Sequence, residues 1–522
     1  GTTTGSTLTL DQAINTTPTT LNTAGGAVSL TAGDAITSTA TTGTITTTGS
    51  VSTAGAADTA GAGGEVLIRH TTGVANKAIT LNAAIVASGG ASVEAADTGG
   101  GGGVVTILND SGTISVHNIT SSGGVSGGGT AGNGGTIQLK TGVAGNTIAQ
   151  AGSTSLIALA GTGAGTAGTD GNLKVISQGA VTLTNTGNDV GTLAASVADN
   201  AAAFSYTDAS ALKIGTVSAD GTAPANLGSL SGIATKGGAV TVVAGTTTGS
   251  TLTLDQAINT TPSSAVNGGA VVLEAGGAIT LQTSGTITTT GGTGGATGGV
   301  GGEVFIHHVG TTANAITLNK AITAKGGAGT TTGGNGAVVT LQNDNGTILI
   351  NAGGAVDVSG GTGTTAGNGG TIQLVSAGTS AAITQTGTTT AEALLATGAT
   401  GGSLKVSSSD TVTLQNQTND VQTLAATIST AGKSFNYTDA NALDIGTVAA
   451  AGSVSAPASP AGSGTSASRS SMSGITTAGG TGGDVKVVVL GTGSSGTLNV
   501  NQAINTTPSS AVNGGAVVLE AG

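Results

Sequence analysis

The sequence predicts an all-β solenoid, a parallel β-helix wound from long tandem cassettes. Three observations carry that reading. First, Gly5 to Pro18 (G-S-T-L-T-L-D-Q-A-I-N-T-T-P) returns letter for letter at Gly249 to Pro262, and lightly edited at Ser495 to Pro508. With the isoleucine as ruler, Ile14 to Ile258 is 244 residues and Ile258 to Ile504 is 246. Repetition at a fixed period points to stacked modules. Second, glycine pairs are followed again and again by alternating apolar residues, the period-two signature of a strand with one buried face. Third, bulk is missing. The 522 residues hold 97 Gly, three Phe, two Tyr, one Met and no Trp, too little to fill an ordinary globular core. Mean hydropathy is positive and charged residues are 7%, the opposite of a disordered composition.

The period sets the organisation: a first cassette at 1–248, a second at 249–494 and the start of a third at 495–522, read as one continuous rod cut from a longer chain. Within a cassette, strands begin at Gly25-Gly26-Ala27-Val28, Gly63-Gly64-Glu65-Val66, Gly134-Gly135-Thr136-Ile137 and Gly237-Gly238-Ala239-Val240. Shorter alternating runs lie between them, at Ala78 to Leu81, Gly112 to Val116 and Ala180 to Leu183. Glycines permit the corners. Asn82, Asn109, Asn133, Asn185 and Asn188 stand at corner-like places, where stacked amides can bond to one another up the axis. Small aliphatic cores and self-similar strands favour a coil over a sandwich, at roughly 20–30 residues per coil. Ala194 to Ala203 is the nearest thing to a helical segment.

The cassettes align throughout. Asn109-Asp110-Ser111-Gly112 answers Asn343-Asp344-Asn345-Gly346, and Phe204-Ser205-Tyr206-Thr207-Asp208 answers Phe435-Asn436-Tyr437-Thr438-Asp439. Length differences fall in Gly/Ala/Thr/Ser stretches such as Ala54 to Gly64, Gly291 to Gly302 and Gly326 to Gly336, which read as loops. The largest is Ala451 to Gly474, against Ala219 to Gly232. It carries Pro457, Pro460, Arg469 and Met472, the candidate interaction residues, and is expected to protrude.

The phrases Asn188-Asp189-Val190-Gly191-Thr192-Leu193, Phe204-Ser205-Tyr206-Thr207-Asp208-Ala209 and Ala211-Leu212-Lys213-Ile214-Gly215-Thr216-Val217 resemble the repeat region of large exoproteins of the filamentous-haemagglutinin type, secreted by the two-partner route. The resemblance implies a right-handed parallel β-helix, an outer-membrane secretion partner, an extracellular or bacterial cell-surface location, and a role in adhesion or surface structure. Some adhesins of this type are glycosylated at Asn-x-Ser/Thr, which occurs here at Asn15, Asn118, Asn259, Asn345, Asn416, Asn436 and Asn505.

Side-chain chemistry is sparse. His307-His308 is the only adjacent histidine pair; it reads as a solvent-side strand corner rather than a metal site, because cassette one has Arg69-His70 there. Asp110, Asp344, Asp208 and Asp439 sit in turn sequences where aspartate caps backbone, not in a converging acid–base pair. Calcium has oxygen donors at Asp170-Gly171-Asn172 and Asn343-Asp344-Asn345-Gly346, without the EF-hand or nonapeptide pattern. No cofactor is expected. Gly99 to Gly103 lacks the Gly-Lys-Ser/Thr of a phosphate loop. Thr-x-Thr phrases are too irregular for a flat ice-binding face and suit the outer face of a strand. A net charge of −12 with no basic stripe argues against nucleic acid, and no apolar run of eighteen residues is present to span a membrane as a helix. The expected role is structural and non-catalytic: a repeat segment of a giant secreted or surface fibre that associates with itself end to end or laterally. The alternative is an adhesin that binds a glycan or protein through protruding loops.

Overall fold

The computed structural model describes residues 5–53, 57–71, 76–378, 381–457, 465–478, 480, 483–491, 496–507 and 513–522. It is a parallel β-helix, almost entirely strand and extended chain, with a short 3-10 turn at Thr390–Glu392. Ala194 to Ala203, the nearest helical candidate, begins inside the strand Thr192–Asn200. The chain divides into two compact units, one up to Ala234 and one from Thr235.

In the first unit, three short strands per coil recur on three faces. One face stacks Val28–Ala32, Val66–His70, Val104–Asn109, Thr136–Thr141, Asn172–Ser177 and Thr192–Asn200 in parallel. A second begins Leu8–Leu10, Ile36–Ser38, Ile79–Thr80 and Ile114–Val116. The third begins Ile14–Asn15, Ile45–Thr46 and Ile85–Val86. Register puts like on like. Ile36, Ile79, Ile114 and Ile148 are successive partners, all at most 1% exposed. The second unit repeats the scheme: Ile279, Ile316, Ile348 and Ile383 are successive partners, each fully buried. A core one side chain wide is enough, because each coil is covered from above and below.

Many coils are longer than the 20–30 residues expected: from Ile36 to its partner Ile79 is 43 and from Ile114 to Ile148 is 34, whereas Leu8 to Ile36 is 28, Val181 to Phe204 and Val412 to Phe435 are 23, and Leu173 to Leu193 is 20. The extra length is the glycine-rich stretches, and the described residues of these are not free loops. They run out from the corner and back as extended segments, and they form their own hydrogen-bonded stack. Gly90 N–H donates to Gly61 O (2.8 Å), Gly100 to Gly90 (2.9 Å), Gly124 to Gly100 (2.7 Å) and Gly132 to Gly124 (2.9 Å). The second unit has the same relay through Gly292, Gly299, Gly327, Gly334, Gly361 and Gly367. Adjacent segments approach so closely that only glycine fits. A Cβ on Gly132 would stand 1.9 Å from the Gly100 carbonyl oxygen, and one on Gly334 1.8 Å from that of Gly299.

Three of the corner asparagines bond differently from the amide-to-amide stack expected. Asn82 Nδ2 donates to Ser38 O, Asn109 Nδ2 to Lys77 O, and Asn133 Oδ1 accepts from Thr169 N. They satisfy main-chain groups of neighbouring coils that the turn leaves unpaired. Amide-to-amide bonds between coils occur at Asn188, which exchanges bonds with Gln150, and between Asn351 and Asn319.

Gly334→Ala is expected to destabilise by about 3 kcal/mol, because backbone must move to admit the methyl group. Gly249→Ala, where nothing lies within 4 Å, is expected to stay within about 0.5 kcal/mol. Thermal unfolding of the two variants, followed by circular dichroism, checks the contrast.

Candidate functional site: a strapped outer face

On the face that contains Val66–His70 in the first unit, and on the face of the second unit that contains Val304–His308, side chains at alternate positions point away from the core. Partner by partner they form a column: Leu67, Thr106, Gln138, Lys174 in the first unit, and Phe305, Thr340, Gln373, Lys405 in the second. An outward column should be wet. Here Thr106, Gln138, Lys174, Phe305, Thr340 and Gln373 are fully buried and Lys405 nearly so.

The cover is the chain itself. In the second unit, Thr447–Val448 and Met472–Ser473 pair antiparallel, and Ala451 bridges Arg469. The hairpin so formed lies flat along the column. Lys405 Nζ donates to the carbonyls of Ala449 (2.9 Å), Arg469 (3.3 Å) and Ser470 (3.0 Å). Gln373 Nε2 donates to Ala467 O (3.2 Å). Ser453 N and Oγ donate to the Glu303 carboxylate at 2.8 and 2.7 Å. Val272 and Phe305 pack against Ala456 and Ala467. The described residues of the stretch expected to protrude, 451–457 and 465–474, therefore form a strap, held down because burying the Lys405 ammonium requires several acceptors at once; 458–464 lie outside the described residues. The first unit has the same strap between Thr216–Val217 and Leu230–Ser231. There Lys174 Nζ binds Ser218 O (2.8 Å) and Gly228 O, Gln138 binds Asp220 O and Ala225 O, and Thr222 caps Glu65.

Of the candidate interaction residues, Arg469 and Met472 are half-buried and line, with Lys405, Val375 and Thr427, a cleft of ≈ 390 Å³ beside the strap. Arg469 spends one terminal nitrogen on Ser468 O and Ser466 O. Pro457 is half-buried on the strap away from that cleft, and Pro460 lies outside the described residues.

His307 and His308 are not at a solvent-side corner. Both are fully buried within the strand Val304–His308. They point to opposite faces. His308 Nδ1 lies 2.8 Å from Asn343 Oδ1, as His70 does from Asn109 at 2.9 Å. His307 sits between two carboxylates, with Nδ1 2.8 Å from Glu274 and Nε2 2.9 Å from Asp344, and stacks on Phe305 at 5.4 Å. Burial opposes its charge, yet the bonds to Asp344 and Glu274 outweigh burial and raise its pKa. Cassette one makes the same joint as an ion pair, Arg69 to Asp110 at 2.7 Å. Glu274, whose register partner is His307, and the strap over Phe305 are why His307 is buried; sequence spacing showed neither.

Asp208 and Asp439 do cap backbone. Asp208 accepts from Val190 N, Ser210 N and the Tyr206 hydroxyl (2.7 Å); Asp439 accepts from Val421 N, Asn441 N and the Tyr437 hydroxyl (2.7 Å). Burial pushes each carboxyl up to about 7, against the pull of those donors. The proposed calcium donors are engaged elsewhere: Asp170 accepts from Ala160 N, Asn343 holds Asn314 and Thr347 carbonyls, and Asp344 holds His307 and Gln342. Among the described residues no three His, Asp or Glu converge as a metal set, and no helix is long and apolar enough to cross a membrane.

No family model matches this chain, and no curated protein or solved structure matches it.

The raised carboxyls set a pH dependence. Unfolded, Asp208 and Asp439 lose their protons near 3.8; folded, near 7. The folded chain therefore holds more protons between these values, so their contribution to stability falls as pH rises from about 4 to 7. His307 has the same sign, its contribution being lost as pH climbs through its raised value. The double variant Asp208→Asn, Asp439→Asn is expected to flatten the decline in Tm between pH 4 and 7 relative to the parent chain, measured by calorimetry across that range.

Proposed function

We propose that this chain is a structural, non-catalytic repeat segment of a giant β-helical fibre or stalk, secreted or held at a bacterial cell surface. The observation that carries this reading is that equivalent residues of the two cassettes make the same joints. Lys174 and Lys405 take strap carbonyls, Glu65 and Glu303 take strap amides, and Tyr206–Asp208 and Tyr437–Asp439 close the same turns. Buried polar residues that could serve a ligand serve the stack instead. In a fibre, the function is reach and resistance to load, and both scale with cassette number. Export through an outer-membrane secretion partner and end-to-end or lateral self-association belong to the same reading; they rest on the resemblance to filamentous-haemagglutinin-type exoproteins. Light scattering across a concentration series reads the self-association.

The second reading is an adhesin for a surface glycan or protein. The cleft beside Arg469 and Met472 is the feature that favours it. Electron microscopy of purified chains carrying two and four cassettes tests the fibre. Particles of constant width, about twice as long with four, are expected; compact particles of unchanged length overturn it. Replacing Met472 and Arg469 by alanine is expected to leave cell-surface attachment unchanged. Lost attachment with intact particles selects the adhesin.

A further inference from the structure

The two straps share a base and differ at the tip. Ser218, Asp220 and Thr222 in the first unit correspond to Ala449, Ala451 and Ser453 in the second, and Ala225 and Gly228 correspond to Ala467 and Ser470. Between Thr222 and Ala225 lie two residues; between Ser453 and Ala467 lie thirteen. Of the corresponding base residues, Thr222 and Ser453 carry like side chains and Ala225 and Ala467 are both alanine, whereas Ser218/Ala449, Asp220/Ala451 and Gly228/Ser470 differ, yet the same column positions hold all of them. At those positions Lys and Gln touch main-chain carbonyl oxygens, and Glu takes amide N–H groups together with the Thr222 or Ser453 hydroxyl.

The spacing explains how this works. From Lys405 to Glu303 is three coil steps, about 14 Å, while Ala449 to Ser453 is four residues of extended chain, about 13 Å. Two alternate steps of a strand laid along the stack therefore span the three coil steps, so that Ala449, Ala451 and Ser453 meet Lys405, Gln373 and Glu303 and pass over the Thr340 coil. We propose that the outward Thr–Gln–Lys column, together with the Glu that flanks its first coil, is a binding site for extended polypeptide backbone, selective for main-chain geometry over side-chain sequence except for the hydroxyl that the Glu also accepts, and that the strap is its built-in ligand. Bound, the strap ties together coils that the chain separates by 150 residues, as Ser453 to Glu303 shows.

The chain supplies its own reporter. Arg469 lies in the strap and its carbonyl is held by Lys405, so trypsin cleavage after Arg469 requires strap release. In the full chain, Lys405→Met and Gln373→Leu, which remove donors from the column, are expected to speed that cleavage by at least about tenfold, the loss of a charged hydrogen bond or its equivalent. Lys405→Arg is expected to restore slow cleavage in part. Ser468→Ala, Ser470→Ala and Ala449→Ser change only strap side chains and are expected to stay within about twofold of the parent. Circular dichroism of every variant verifies that the coils remain folded. Release by the strap side-chain variants as large as by the column variants, or no acceleration by Lys405→Met with the coils intact, overturns the proposal.

Discussion

Hydrogen bonding from each coil to the next, at a spacing that leaves no latitude, governs everything else in each unit. Parallel strands one above another fix the separation of coils at about 4.8 Å. Any residue then meets its counterpart in the next coil at that distance, so the sequence must repeat in kind. Ile on Ile inside, and Gly on Gly in the arms, answer the same constraint. The arms are the stricter case. A strand can absorb Val for Ile, whereas an arm glycine faces a neighbour's carbonyl oxygen at a distance no methyl group survives. Among the described residues, many glycines belong to this second lattice, where close approach and not flexibility requires them.

Buried polarity follows from the same geometry. A turn between short strands leaves amides and carbonyls unpaired, and asparagine and aspartate side chains close them. Asn188 shows the pattern: its amide donates to the carbonyls of Leu183 and Thr207 and accepts from Leu156 N. Asn419 repeats it with Leu414, Thr438 and Leu394. The straps extend the logic outward. Lys174 and Lys405 are aliphatic stems with a charge at the tip, and the strap carbonyls let the whole residue leave water. Burial pulls both ammonium groups below the ordinary lysine pKa.

Period-two runs bounded by glycine placed most strands, and the matched phrases Phe204 to Asp208 and Phe435 to Asp439 correctly marked turn-capping aspartates. What sequence could not give is contact at a distance. Nothing local to Glu303 says that Ser453 will reach it, and nothing local to His307 says that Glu274 stands beside it and Phe305 is roofed over. The glycine arms differ from the expected loops for a related reason. Gly, Ala and Thr in low-complexity runs read as loops when taken one at a time, and their packing shows only when neighbouring coils are laid side by side. One signal was present: Lys174 and Lys405, set in strands between core residues, occupy aligned places in both cassettes, and a lysine there needs acceptors from some other part of the chain.

The eleven-residue difference between the strap tips has a consequence for how such a chain can vary. An insertion in a strand shifts every side chain to the wrong face, and one in an arm breaks the glycine lattice. The strap is anchored at its base by main-chain contacts, so its tip can lengthen while every coil keeps its partner. Each cassette thus owns one port at which foreign sequence can be grafted, and an epitope or tag placed between Ser453 and Ala467 would be carried at cassette-sized intervals along any chain that repeats it.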